Sequence, residues 1–188
     1  MNNSILLIID IMNDIVHPDG ILTCFSNECD YVNYVNNINI AIDKLKQSNA
    51  IVVQSNVKFS KDYSELLSNS PLFGAVKPTK ALIRNTWGTK SSDLLDTSKV
   101  DVAFEKNAID PFSDKHFFDF IADNKIEHIY IAGVSTRWAV ESCVRSAHDL
   151  NIKTSTISEC CTDSNFLDHE NALSNCRILG EVISINEL

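Results

Sequence analysis

Five consecutive apolar residues, Ile5, Leu6, Leu7, Ile8 and Ile9, run without interruption into a carboxylate, Asp10. A strand with one wet face alternates apolar and polar side chains. A run with no alternation is buried on both faces, the position of a strand inside a parallel sheet covered by helices. The pattern returns at 129–132, and shorter apolar stretches at 50–53, 100–104, 153–157 and 182–185 read as further strands. Between them lie segments with helical spacing. Residues 31–47 place Val32, Val35, Ile38, Ile42 and Leu45 near a 3.6-residue period, and 114–123, 136–150 and 168–175 also read as helices. Gly133 is expected to break the fourth strand. Strands alternating with helices define an α/β fold with a parallel sheet. No linker or repeat divides the chain, so residues 1–188 form one domain.

In such sheets ligands bind beyond the carboxyl ends of the strands. Asp10 stands at the first of these ends, as a candidate general acid or base or else a cap for the next turn. Lys106 follows the third strand, where it can hold Asp10 charged or stabilise negative charge on a substrate, unless it is a solvated lysine. Val134, Ser135 and Thr136 join the fourth strand to its helix. The backbone N–H groups of such a turn suit an anion, and Ser135 or Thr136 can equally be the N-cap. Arg137 in the first helical turn opposes the helix dipole, which suggests a substrate carboxylate as its partner; Arg84 is a second candidate for that task. Residues 56–98 have no regular pattern, and a connection of that length is usually functional. Trp87, inside it, either covers a pocket or pins the loop to the core.

Composition narrows the classes. A formal net charge of -9 without a basic cluster excludes a nucleic-acid or anionic-membrane role. No apolar stretch has the length of a membrane span, and the opening run lacks the basic flank of a signal peptide, so a cytoplasmic location is expected. The six cysteines, Cys24, Cys29, Cys143, Cys160, Cys161 and Cys176, are irregularly spaced and read as reduced thiols. No CxxC pair, histidine pair or glycine-rich phosphate loop is present, so neither a metal, a cofactor nor a nucleotide is expected.

Three segments together resemble the isochorismatase-like hydrolase family. Leu7-Ile8-Ile9-Asp10-Ile11-Met12-Asn13-Asp14 is similar to its opening strand and D-x-Q-N-D-F motif, with Met12 in place of Gln. Glu105-Lys106 lies where a catalytic lysine follows a strand. Gly133-Val134-Ser135-Thr136-Arg137-Trp138-Ala139-Val140 is similar to the G-V-x-T-x-x-C-V signature. The resemblance spans nearly the whole chain. It implies a three-layer sandwich around a six-stranded parallel sheet, a small-molecule substrate, a homo-oligomer (dimer or tetramer), and a cis peptide before Ser135. It also implies an Asp–Lys–Cys catalytic set, and here the chain departs: Ala139 occupies the nucleophile's place. A methyl group cannot attack carbon, and Cys143 starts about 6 Å further along the helix, too far for the same attack, and reads as core. Three functions are compatible with these residues. One is hydrolysis without a covalent step, as in vinyl-ether cleavage of a small carboxylate-bearing molecule, with Asp10 as acid/base. Another is a cysteine amidase altered at residue 139. The third is a binding protein that kept the pocket.

Overall fold

The computed structural model describes residues 3–23 and 30–188. Cys24 and Cys29 lie outside the described residues. Six strands, β1 (Ser4–Ile9), β2 (Ile51–Val57), β3 (Val102–Lys106), β4 (His128–Val134), β5 (Lys153–Thr162) and β6 (Glu181–Ile183), form one sheet in the order β3-β2-β1-β4-β5-β6. Every neighbouring pair is parallel. The chain therefore moves one way from β1 to β3 and then returns past β1 to build the other half. That reversal beside β1 is where such a sheet opens a crevice at its carboxyl edge.

The uninterrupted apolar run of β1 fits its central place. Leu6 and Ile8 face helix α2 (Tyr31–Gln47; the four-residue α1 is Asn13–Val16), meeting Val35, Ile38 and Ile42. Ile5, Leu7 and Ile9 face the opposite layer, where Phe117 of α5 (Lys115–Asp123) and Val144 of α6 (Glu141–Asp149) pack. Helix α7 (Phe166–Leu179) adds Cys176 to the same layer. Three of these helices begin on side-chain caps: Asp30, Asp114 and Asn165 each accept backbone N–H groups of the first turn. Cys143, Cys160, Cys161 and Cys176 are free and buried, as expected of reduced thiols, and Cys143 is fully buried core.

Several boundaries differ from the sequence reading. Gly133 does not break β4; it lies within it. Its φ is +140, and a Cβ there would come within 2.3 Å of the Ile9 carbonyl oxygen, so glycine is required for close approach of β1. Strand β2 runs on to Val57 through Gln54, Ser55 and Asn56, polar residues that are buried under the following loop and so hide the strand from a hydropathy pattern. Strand β3 starts two residues later than expected, because Asp101 turns back and accepts the Val52 N–H at 2.8 Å. Lys106 is therefore the last residue of the strand. The helix expected over 136–150 opens as a π-helical turn, Thr136–Val140, before α6. Such turns recur at functional sites.

The long connection after β2 is irregular, as expected, apart from two single turns, α3 (Pro71–Gly74) and α4 (Val76–Thr79), and two short 3-10 turns. It builds a small core of its own from Phe59, Tyr63, Phe73, Val76 and Leu82, closed against Met12 and Val57. No helix among the described residues is long and apolar enough to cross a membrane.

Candidate active site

Asp10 follows β1 with a left-handed φ of 58, a conformation that Asp tolerates better than most residues. The bend turns its carboxylate across the ends of the neighbouring strands. Oδ1 accepts the Val57 N–H at the end of β2 at 2.7 Å, and Oδ2 accepts the Lys106 ammonium at the end of β3 at 2.7 Å. Lys106 also donates to the Ala108 carbonyl at 3.2 Å. Asp10 is 5% exposed and Lys106 2%. Burial pushes the Asp10 carboxyl above its ordinary value, against the opposing pull of Lys106 and the Val57 N–H. The two residues nominated from separate strand ends therefore form one buried ion pair.

The pair faces a cavity of about 200 Å³. Val134, Ser135, Trp138 and Ala139 form one side of it, and Leu72, Phe73, Val76 and Leu82 from the long connection form another. The Val134–Ser135 peptide is cis, as the resemblance implied. Ala139 presents only a methyl group. Behind it the Cys143 thiol is held far above its ordinary value by burial in apolar surroundings, which leaves it protonated and inert. A larger open groove of about 900 Å³ runs beside β3, but none of Asp10, Lys106 or Ala139 lines it.

Of the remaining nominated residues, Val134 and Ser135 line the cavity, and Thr136, Arg137, Arg84 and Trp87 do not. Ser135 stands at the N-cap position, yet its hydroxyl donates to Asp163 rather than capping the turn. The Arg137 N–H also goes to Asp163, at 2.9 Å, so it is not offered to an anion in the cavity. The Arg137 guanidinium pairs with Asp163 at 3.2 Å and with Asp168, and donates to Ser164 at 3.1 Å. Thr136 is buried, with its hydroxyl 2.8 Å from His169 Nδ1. Arg84 donates to Glu105 at 2.8 Å and pairs with Glu65. Against the opposing effect of burial, hydrogen bonds from Ser60 and Arg84 hold the Glu65 carboxyl down at about 2. Both arginines are thus committed to the chain's own carboxylates, and neither lines the cavity. Trp87 meets His17 edge-on at 5.1 Å, and its carbonyl accepts from Asn13 at 3.0 Å. It holds the loop to α1 and does not line the cavity.

Sequence reasoning missed the residues that support this arrangement. Asp14 accepts the Leu82 N–H at 2.7 Å and so sets a cavity wall, with Gly88 so close that a Cβ would meet the Asp14 carboxylate at 2.1 Å. The signal was present in the Asn13-Asp14 pair of the opening motif. Asp163 and His169 carried no signal of their own, because their partners are fixed only in space.

The sequence matches the family model for the isochorismatase domain over residues 4–187. No curated protein matches it. Among solved structures, it is similar to a cysteine hydrolase from Pseudomonas syringae pv. phaseolicola, with TM-score 0.86 and 16% identity, covering 98% of this chain and 90% of that one. It is similar to an isochorismatase family protein from Desulfovibrio vulgaris, with TM-score 0.86 and 13% identity, covering 99% and 96%. A nicotinamidase from Bacillus subtilis gives TM-score 0.82 at 20% identity, covering 98% and 100%. At these identities the structures establish a shared fold.

Proposed function

The chain belongs to the isochorismatase family of hydrolases, and from that premise we propose that it hydrolyses a small molecule by acid/base chemistry from Asp10, with no covalent intermediate. One observation carries the reading: a buried Asp10–Lys106 pair faces a cavity whose nucleophile position is the methyl group of Ala139. The acid/base half of the family's machinery is present and the attacking thiol is not.

A vinyl ether fits what remains. Protonated Asp10 delivers its proton to the terminal vinyl carbon; a C–H bond forms as the π pair leaves, and positive charge develops on the carbon bearing oxygen. Water adds there and returns a proton to the Asp10 carboxylate. The hemiketal then collapses to a carbonyl compound and an alcohol. The resting pair is ionised; burial raises the share of Asp10 that takes up a proton and can act as donor, against the pull of Lys106, and Lys106 stabilises the carboxylate that the step leaves.

The test is turnover of two vinyl ethers, isochorismate with pyruvate release and phenyl vinyl ether with phenol release, by the wild-type chain and by Asp10→Asn. Release that the substitution abolishes supports the reading. Release that persists undiminished in Asp10→Asn overturns it. Binding of either compound without release by the wild-type chain favours a binding protein.

A further inference from the structure

The character of the cavity, taken with where the chain's cations go, points to a substrate class. We propose that the Asp10 cavity selects an uncharged, largely apolar molecule about the size of benzene carrying a short ether side chain, and that it disfavours carboxylates. The inference rests on the acid/base reading only for turnover; the selectivity itself is a matter of binding.

Size comes first. An apolar cavity of about 150 Å³ holds benzene, and this one measures about 200 Å³. Its walls are aliphatic and aromatic: Leu22, Phe73, Val76, Leu82 and Ile109 surround the strand-end pair. The mouth is apolar too. Leu72 and Trp138 line the cavity and yet are 43% and 45% exposed, so a ligand enters across greasy surface.

Charge comes second. The only cation among the described lining residues is Lys106, and its charge is matched by Asp10 at 2.7 Å. A carboxylate brought into the cavity loses its water and finds no uncompensated cation among the described lining residues. The two arginines that could have met it are turned to Asp163, Asp168, Glu65 and Glu105. The chain's net charge of -9 adds a repulsive field. The Ser135 hydroxyl is spent on Asp163 as well. Two of the three Lys106 N–H donors go to Asp10 and the Ala108 carbonyl, which leaves one for a single ether oxygen.

The experiment uses ethoxybenzene and 4-ethoxybenzoate, which share a skeleton, differ by one carboxylate and contain no vinyl group to hydrolyse. Their binding to the full chain is measured by calorimetry or by ligand-observed magnetic resonance at neutral pH. Ethoxybenzene is expected to bind at least about tenfold more tightly, equivalent to 1.4 kcal/mol. Ala139→Leu, which fills the cavity, is expected to remove that binding, and Leu72→Arg at the exposed mouth to narrow the gap between the two ligands. Equal or tighter binding of 4-ethoxybenzoate overturns the proposal. So does binding of neither compound at its solubility limit, or ethoxybenzene binding that Ala139→Leu leaves unchanged. Turnover is read separately with phenyl vinyl ether. If ethoxybenzene is preferred and phenyl vinyl ether is not hydrolysed, the acid/base reading fails and the selectivity stands.

Discussion

Two buried carboxylates stand at strand ends on either side of the cis Val134–Ser135 peptide, and they are held in opposite ways. Asp163, after β5, is 2% exposed and is surrounded by donors: the Ser135 hydroxyl, the Arg137 and Ser164 N–H groups at 2.9 and 2.8 Å, and the Arg137 guanidinium. Asp10, after β1, is 5% exposed and has two donors, Val57 N–H and Lys106. Asp163 does not line the cavity; Asp10 does. A carboxylate whose lone pairs are all engaged is architecture. A carboxylate with fewer donors, pushed up by burial and lining the cavity, is the one placed to exchange a proton in the proposed reaction.

The largest expected effect breaks or upholds that contrast directly. Asp10→Asn keeps the side-chain shape and tolerates the left-handed backbone, and it is expected to lower turnover about 10²- to 10⁴-fold, the usual worth of a positioned general acid. Asp163→Asn is expected to cost less than about tenfold, since it only loosens the turn. Steady-state rates on one substrate compare the two, and equal losses remove the distinction.

Stability sharpens it next. Asp10→Asn strands the buried Lys106 ammonium but also removes a carboxylate that burial penalises, so its cost is expected to fall below the ~3–5 kcal/mol typical of a broken buried pair. Adding Lys106→Met removes the stranded charge, and the double variant is expected to regain most of that stability in denaturant titrations while remaining inactive. If the single variant is already as stable as the wild type, the pair is not the buried ion pair described. Ser135→Ala follows with a smaller effect. It removes one hydrogen bond to a charged acceptor, worth about 1.5–3 kcal/mol, and the melting temperature reads it.

How much of this was visible beforehand depends on what each residue's role requires. The meeting of Asp10, Lys106 and Ala139 around one cavity is legible because each sits at a strand end or in a motif, and a parallel sheet gathers strand ends at one edge. Burial of β1 on both faces was legible from five apolar residues in a row. Arg84 reads as a carboxylate's partner from its charge, and Arg137 from its charge and its place in the first helical turn. A guanidinium's partner is a tertiary fact, and here the partners are acids up to 31 residues away along the chain. Trp87 left two readings open, and His17, which decides for the pinned loop, is 70 positions distant. The cavity walls were the least legible, because residues 56–98 show no period and their small core depends on Met12 and Val57 from elsewhere.

The smallest effect is a pH dependence, and it belongs to Asp10. The folded-state value of Asp10 is raised above its ordinary 3.8, with burial as the main cause. Folding therefore favours the protonated carboxyl. Its contribution to stability is fully present below the ordinary value and is lost as pH rises through the raised one, each tenfold gain in proton affinity being worth about 1.4 kcal/mol. The general-acid rate follows the same proton, so kcat/KM is expected to fall as pH rises through that window. In Asp10→Asn both the stability change and any residual rate should flatten across it, whereas Asp163→Asn should leave this limb in place. A rate that instead climbs through the window marks Asp10 as a base that acts ionised, and reverses the direction of proton transfer.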